Sequence, residues 1–394
     1  MTLAMGLRTA QGVFVVPLSL EHNWPLAIFS TALAVQNLLW GLIQPLIGMA
    51  ADLLGAGAVI AVGSLVFAAG LWVLTWASDP LTVTVAAGVG LALGLSAASF
   101  PVILAVVARS VGPARRDLAM GLVIAGGSVG QVVLPPISGW LLVALGTTGE
   151  AFSILALVAL AMVPLAWPLG ERGRGERGGA SNAGHGRMSL ASLLPELRQA
   201  WARPDYRLTV LGFFACGFQL AFLSVHLPGY LSLCGLPSQT GANALGLMGL
   251  FNIIGCWASG VLASRWPVPR LLAALYLTRA LSVAVFLACP VTQASVVGFS
   301  AMIGLTWLAT VPLTSGLVVR MFGPGSLGLL FGFAFLSHQV GSFFGAWLGG
   351  VAVDLTGSYD AAWIMSGLLA LVAAGIHLAI DDRPMVVAVG HIRH

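Results

Sequence analysis

The sequence contains no lysine, and all charged residues together make up only 8% of its 394 positions. So few charges cannot cover the surface of a soluble domain this long, which excludes a water-soluble enzyme and makes lipid the solvent for most side chains. Acid is scarcest inside the apolar runs. All 13 Asp and Glu fall in loops, in the polar middle, in the tail or at run ends. Cys216, Cys234, Cys256 and Cys289 stand singly with no CxxC pair, so they read as small packing residues and imply neither a disulfide framework nor a metal site. A catalytic centre would need a nucleophile–base pair or a metal cluster, and no such grouping is seen. The chain is therefore not read as an enzyme, and no cofactor is expected.

What is present is hydrophobic length. Twelve apolar runs of spanning size are predicted, at about 3–20, 25–50, 57–77, 81–108, 118–145, 150–169, 208–233, 240–263, 271–289, 293–319, 326–351 and 359–380. They are numbered helices 1 to 12 in that order. A polar stretch divides them six and six, so the reading is an N-terminal bundle (1–170), a central loop (171–206), a C-terminal bundle (207–381) and a tail (382–394). The first run has no small-residue cleavage site and reads as a retained helix. In the central loop, 189–202 shows helical apolar spacing and is expected to lie on the membrane surface.

The two halves answer each other at one constant offset. A shift of 211 positions carries Arg8 onto Gln219, Pro17 onto Pro228, Pro101 onto Pro312, Arg109 onto Arg320, Gly112-Pro113 onto Gly323-Pro324 and Gly130 onto Gly341. This is the mark of a duplication, and the seam between such repeats is where transporters place their substrate.

Of the 17 basic residues, all arginine, only Arg8 and Arg279 lie inside predicted helices. The others fall on the side that also holds both termini, and the opposite loops carry Glu21, Asp79, Glu150, Asp354 and Asp360. This positive-inside bias predicts a multi-pass inner-membrane protein with both termini cytoplasmic. The net charge of +4 reports topology, and no nucleic-acid partner is expected.

After helix 2 the sequence reads Gly48-Met-Ala-Ala-Asp52-Leu-Leu-Gly55. Here the chain resembles the major facilitator superfamily, whose loop between helices 2 and 3 carries Gly-x-x-x-Asp-x-x-Gly followed by basic residues. Gly48, Asp52 and Gly55 match and are assigned a conformational role; Ala56 and Gly57 replace the basic residues. The resemblance covers the whole chain. It implies an all-α fold of two pseudo-symmetric six-helix bundles that rock about a midplane site. Buried cations without membrane carboxylates look most like the monocarboxylate porter and oxalate/formate exchanger branch. The arginines here nevertheless sit on helices 1 and 9, so no residue role carries over by position.

A charge at the bilayer centre costs about 2.5–3.5 kcal/mol even on the lenient insertion scale, and arginine cannot escape by losing its proton. Arg8 either snorkels towards the chain start or holds an anion in a bidentate fork. Arg279 either faces the substrate or caps carbonyls between helices. Gln11, Asn37, Gln131, Gln219, His226, Thr310, His338 and Gln339 complete the candidate substrate site. His226 and His338 are the candidates for carrying a coupling proton, with neutral helix packing as their alternative. The expected function is alternating-access transport of a small organic anion such as a monocarboxylate, coupled to protons and acting as a monomer. Efflux of a neutral or amphipathic drug or metabolite is the second reading, and a non-transporting nutrient sensor the third.

Overall fold

The computed structural model describes residues 1–99, 102–103, 106–107, 113–167, 190–323 and 326–382. Pro101, Arg109, Gly112, Pro324, most of the central loop and residues 383–394 of the tail lie outside them. Among the described residues every regular element is helical, and twelve helices are long and apolar enough to cross a membrane: Thr2–His22, Leu26–Ala51, Ala56–Leu74, Pro80–Ala97, Ala125–Leu145, Thr148–Trp167, Pro204–Leu233, Ser238–Ala263, Val268–Ala288, Gln293–Phe322, Leu327–Thr356 and Asp360–Leu378. They keep the numbers 1 to 12. Residues such as Trp76, Trp257, Leu355 and Leu368 stand exposed on the outside, where only hydrocarbon would solvate them. The chain is a multi-pass membrane protein. A connecting helix, Leu190–Ala202, precedes helix 7, and its Trp201 meets Tyr206 and Phe333 edge-on.

Two helices expected to be continuous are broken. Helix 1 runs as Thr2–Ala10, a tighter 3-10 turn over Gln11–Phe14, then Val15–His22. Pro17 is the reason: it lacks an N–H, and its ring crowds the carbonyl four residues back, at Val13. Helix 10 stops at Thr306 and resumes at Thr310. Pro312 acts in the same way on the carbonyl of Leu308. Helix 4 is interrupted after Ala97, and the described residues 102–103 and 106–107 beyond it are helical again. Its last hydroxyls turn inward: the Ser99 Oγ donates to Gln44 Oε1 at 2.9 Å and to the Ser96 carbonyl at 2.8 Å. At its start the Asp79 carboxylate accepts from the Thr82 hydroxyl at 2.5 Å and from the Thr82 N–H at 2.9 Å, and those bonds hold the Asp79 carboxyl below its ordinary range.

The duplication is visible in packing. Helix 1 meets helix 5 with Gly6 against the Gly130 carbonyl, and helix 7 meets helix 11 with Gly217 against the His338 carbonyl and Gly341 against that of Phe214. Small residues permit this backbone-to-backbone approach. Gly55 closes helix 2 at φ 95°, a conformation open to glycine, which accounts for the last residue of the loop motif. The Asp52 side chain lies outside the described residues.

Candidate anion site between helices 1, 2 and 7

The 3-10 turn of helix 1 sets Arg8, Gln11 and Gly12 onto a seam shared with helices 2 and 7. Together with Leu33, Gln36 and Asn37 of helix 2, and Ala221, Ser224 and Val225 of helix 7, they line a cavity of about 10 Å³. That is the room of roughly one water molecule. Gly12 lets the seam close: a Cβ there would overlap the Ser224 carbonyl oxygen.

The polar lining holds one cation, three side-chain amides and a serine. Arg8 Nη2 donates to Asn37 Oδ1 at 2.8 Å, and its guanidinium lies 5.1 Å from the centre of the Trp40 ring. Asn37 is itself held, its Nδ2 donating to the Leu33 carbonyl at 2.8 Å. The buried side-chain amides of Gln11 and Gln36 have no hydrogen-bond partner for Nε2 among the described residues. Each orphan of this kind costs about 1–3 kcal/mol. No acidic residue lines the cavity. A carboxylate, which brings only acceptors, complements such a lining.

The other candidates gather elsewhere. Arg279 is 2% exposed and sits against the break of helix 10. It donates through Nη2 to the Thr306 and Trp307 carbonyls, the latter at 2.8 Å, and through Nε to Thr306 Oγ1 at 3.3 Å. Its Nη1 reaches Gln219 Oε1 at 3.4 Å and Cys216 Sγ at 3.5 Å. Arg279 caps the carbonyls freed by the break and is not among the residues lining the cavity. Thr310 Oγ1 lies 3.0 Å from Cys216 Sγ in the same cluster. Asn252 supports the break from helix 8, its Oδ1 accepting from the Leu308 N–H at 2.9 Å.

His226 is fully buried, its Nε2 2.6 Å from the Ala346 carbonyl. His338 places Nδ1 3.0 Å from Gln339 Oε1, with its ring stacked on Phe335. Gln131 is buried where helix 5 meets Gly249 of helix 8. The structure therefore brings Arg8, Gln11 and Asn37 together and sets Gln131, Gln219, His226, Arg279, Thr310, His338 and Gln339 outside this cavity. Gln36 and Ser224 were missed. Gln36 directly precedes Asn37, a neighbour placed about 100° around the helix, and only the position of helix 1 shows that both reach one seam.

Residues 1–346 match the family model described as Major Facilitator Superfamily, and the chain belongs to that family. It is similar to monocarboxylate transporter 13 of Rattus norvegicus, 28% identical over 95% of this chain and 85% of that protein. It is also similar to an uncharacterized MFS-type transporter, YcxA, of Bacillus subtilis (strain 168), 23% identical over 96% of this chain and 91% of that one. Among solved structures, the nucleoside transporter NupG aligns at a TM-score of 0.75 and 13% identity, covering 96% of this chain and 96% of the other. A bacterial homolog of the human lysosomal transporter Spinster, inward-facing and occupied, aligns at 0.72 and 15%, covering 96% and 93%. At these identities the structural likeness concerns the fold. The protein is an MFS transporter.

Proposed function

We propose that this transporter carries a small organic anion, in the class of monocarboxylates, through the seam between its halves, with the coupling proton expected on His226 or His338. The observation that carries the reading is Arg8. It is a permanent cation on the cavity wall, held by one neutral amide, with two unpaired amide donors beside it and no carboxylate to balance it. A substrate carboxylate would supply the missing charge through two parallel hydrogen bonds. The similarity to a protein named monocarboxylate transporter 13 agrees with this chemistry.

The test is a thermal-shift titration of the purified protein with small carboxylates and their neutral amides, Arg8→Gln alongside, followed by uptake into proteoliposomes under a proton gradient. A carboxylate is expected to raise the melting temperature of the wild type, with no rise for the amide or for Arg8→Gln. Equal stabilisation of both proteins by neutral compounds would make Arg8 structural and move neutral efflux ahead.

A further inference from the structure

One hydrogen-bonded chain crosses from the anion site into the opposite half. Asn37 Oδ1 accepts from Arg8 Nη2 at 2.8 Å, and the main-chain carbonyl of the same Asn37 accepts from Gln339 Nε2 at 3.0 Å. The other end of that amide, Gln339 Oε1, lies 3.0 Å from His338 Nδ1 and accepts from Ser342 Oγ at 3.5 Å. Gln339 is fully buried on helix 11, so both ends of its amide are committed and neither meets water. Gly41, one turn along helix 2, makes the crossing possible: a Cβ there would lie 2.8 Å from the Gln339 Cβ and Cγ.

Consider what a carboxylate must do to reach Arg8. Asn37 Oδ1 takes one of the five N–H donors of the Arg8 guanidinium, so a carboxylate needs only room to reach the others. The cavity of about 10 Å³ does not give the ligand that room. Ala221, Ser224 and Val225 of helix 7 close the seam over Arg8, so the halves must part for a ligand to enter, and Gln339 holds the Asn37 main chain of helix 2 to helix 11 against that parting. We infer that Gln339 is a positioning residue, a tether from the second half that holds the Asn37 main chain and so keeps the seam closed over Arg8. Binding at Arg8 then strains the contact between helices 2 and 11, and this converts occupancy into movement of the halves. A ligand shifts such an equilibrium only through a difference in affinity between its states, and the tether supplies that difference. The inference rests on the reading of Arg8 as the carboxylate site.

The sign of the effect separates a tether from a substrate contact. The experiment is titration of the purified full-length protein with formate, acetate, propionate and butyrate, comparing wild type with Gln339→Leu and the nearly isosteric Gln339→Met. Loss of a tether removes a cost of binding, so Kd is expected to fall about two- to tenfold, the worth of one net hydrogen bond. Hydrogen exchange should change in parallel. Carboxylate raises exchange around 37–41 and 335–342 in the wild type. In the variants exchange is already raised, and ligand adds nothing further. A weaker or unchanged Kd in a folded variant overturns the tether while the Arg8 site stands. Failure of every carboxylate to bind the wild type overturns both.

Discussion

A guanidinium cannot shed its charge in hydrocarbon, so each buried arginine must be surrounded by acceptors. Arg279 is satisfied by its own fold, with two carbonyls, a hydroxyl, an amide oxygen and a thiol within reach. Replacing it, as in Arg279→Gln, strands the carbonyls of the helix 10 break. The expected loss is about 3 kcal/mol, seen as a lower melting temperature with no ligand present. Among the described residues Arg8 has a single hydrogen-bond acceptor, and it has a cavity at its side, the arrangement of a residue left incomplete for a ligand. Gln36 shares that seam, so Gln36→Leu should weaken carboxylate binding about tenfold while leaving thermal stability the same or higher, because it removes a buried orphan. Calorimetric titration beside a melting curve checks both halves of that statement.

At the scale of the element, the broken helices shape the polar interior. A continuous helix satisfies its own carbonyls, whereas the proline-induced breaks in helices 1 and 10 change the helical phase and free acceptors. The break in helix 1 meets helix 7 closely at Gly12, where the Ser224 carbonyl occupies the space a Cβ would need. Gly12→Ala should therefore keep the seam of helices 1 and 7 open. Hydrogen exchange over 220–229 is expected to rise, and transport to fall at least tenfold although the protein still inserts. Normal exchange and normal transport in that variant would show that the seam closes some other way.

Across the whole molecule, the end remote from the termini is held by a contact between halves. The Asp354 carboxylate at the end of helix 11 accepts from the Leu26 and Ala27 N–H groups at 2.9 and 2.7 Å. Those are first-turn donors of helix 2, whose N-cap, Pro25, supplies no side-chain acceptor. Gly350 packs on Ser30 just below. An anion on a helix N-terminus contributes about 1 kcal/mol, so Asp354→Ala should raise opening at this end about fivefold. Exchange is expected to increase at 26–30 and also at 350–356. An increase confined to 26–30 would mean simple fraying of helix 2.

Much of this protein was legible from composition and spacing. Lipid as a solvent demands long apolar helices, so twelve runs, their six-and-six division and the family followed directly, because each depends on local hydrophobicity or a short motif. The 211-residue offset foreshadowed close glycine packing of helix 1 on helix 5 and of helix 7 on helix 11, since a repeated sequence folds into repeated packing. The presence of buried cations without acids was equally plain. Their environments were not: Arg8 and Arg279 look alike in sequence, and only the tertiary structure set one beside a cavity and the other on the carbonyls of a broken helix. Spacing specifies which residues share a face of one helix, but not which neighbouring helix that face meets or at what height. For that reason Gln36 stayed hidden, and so did the bond that Gln339 makes across the interface to the Asn37 carbonyl.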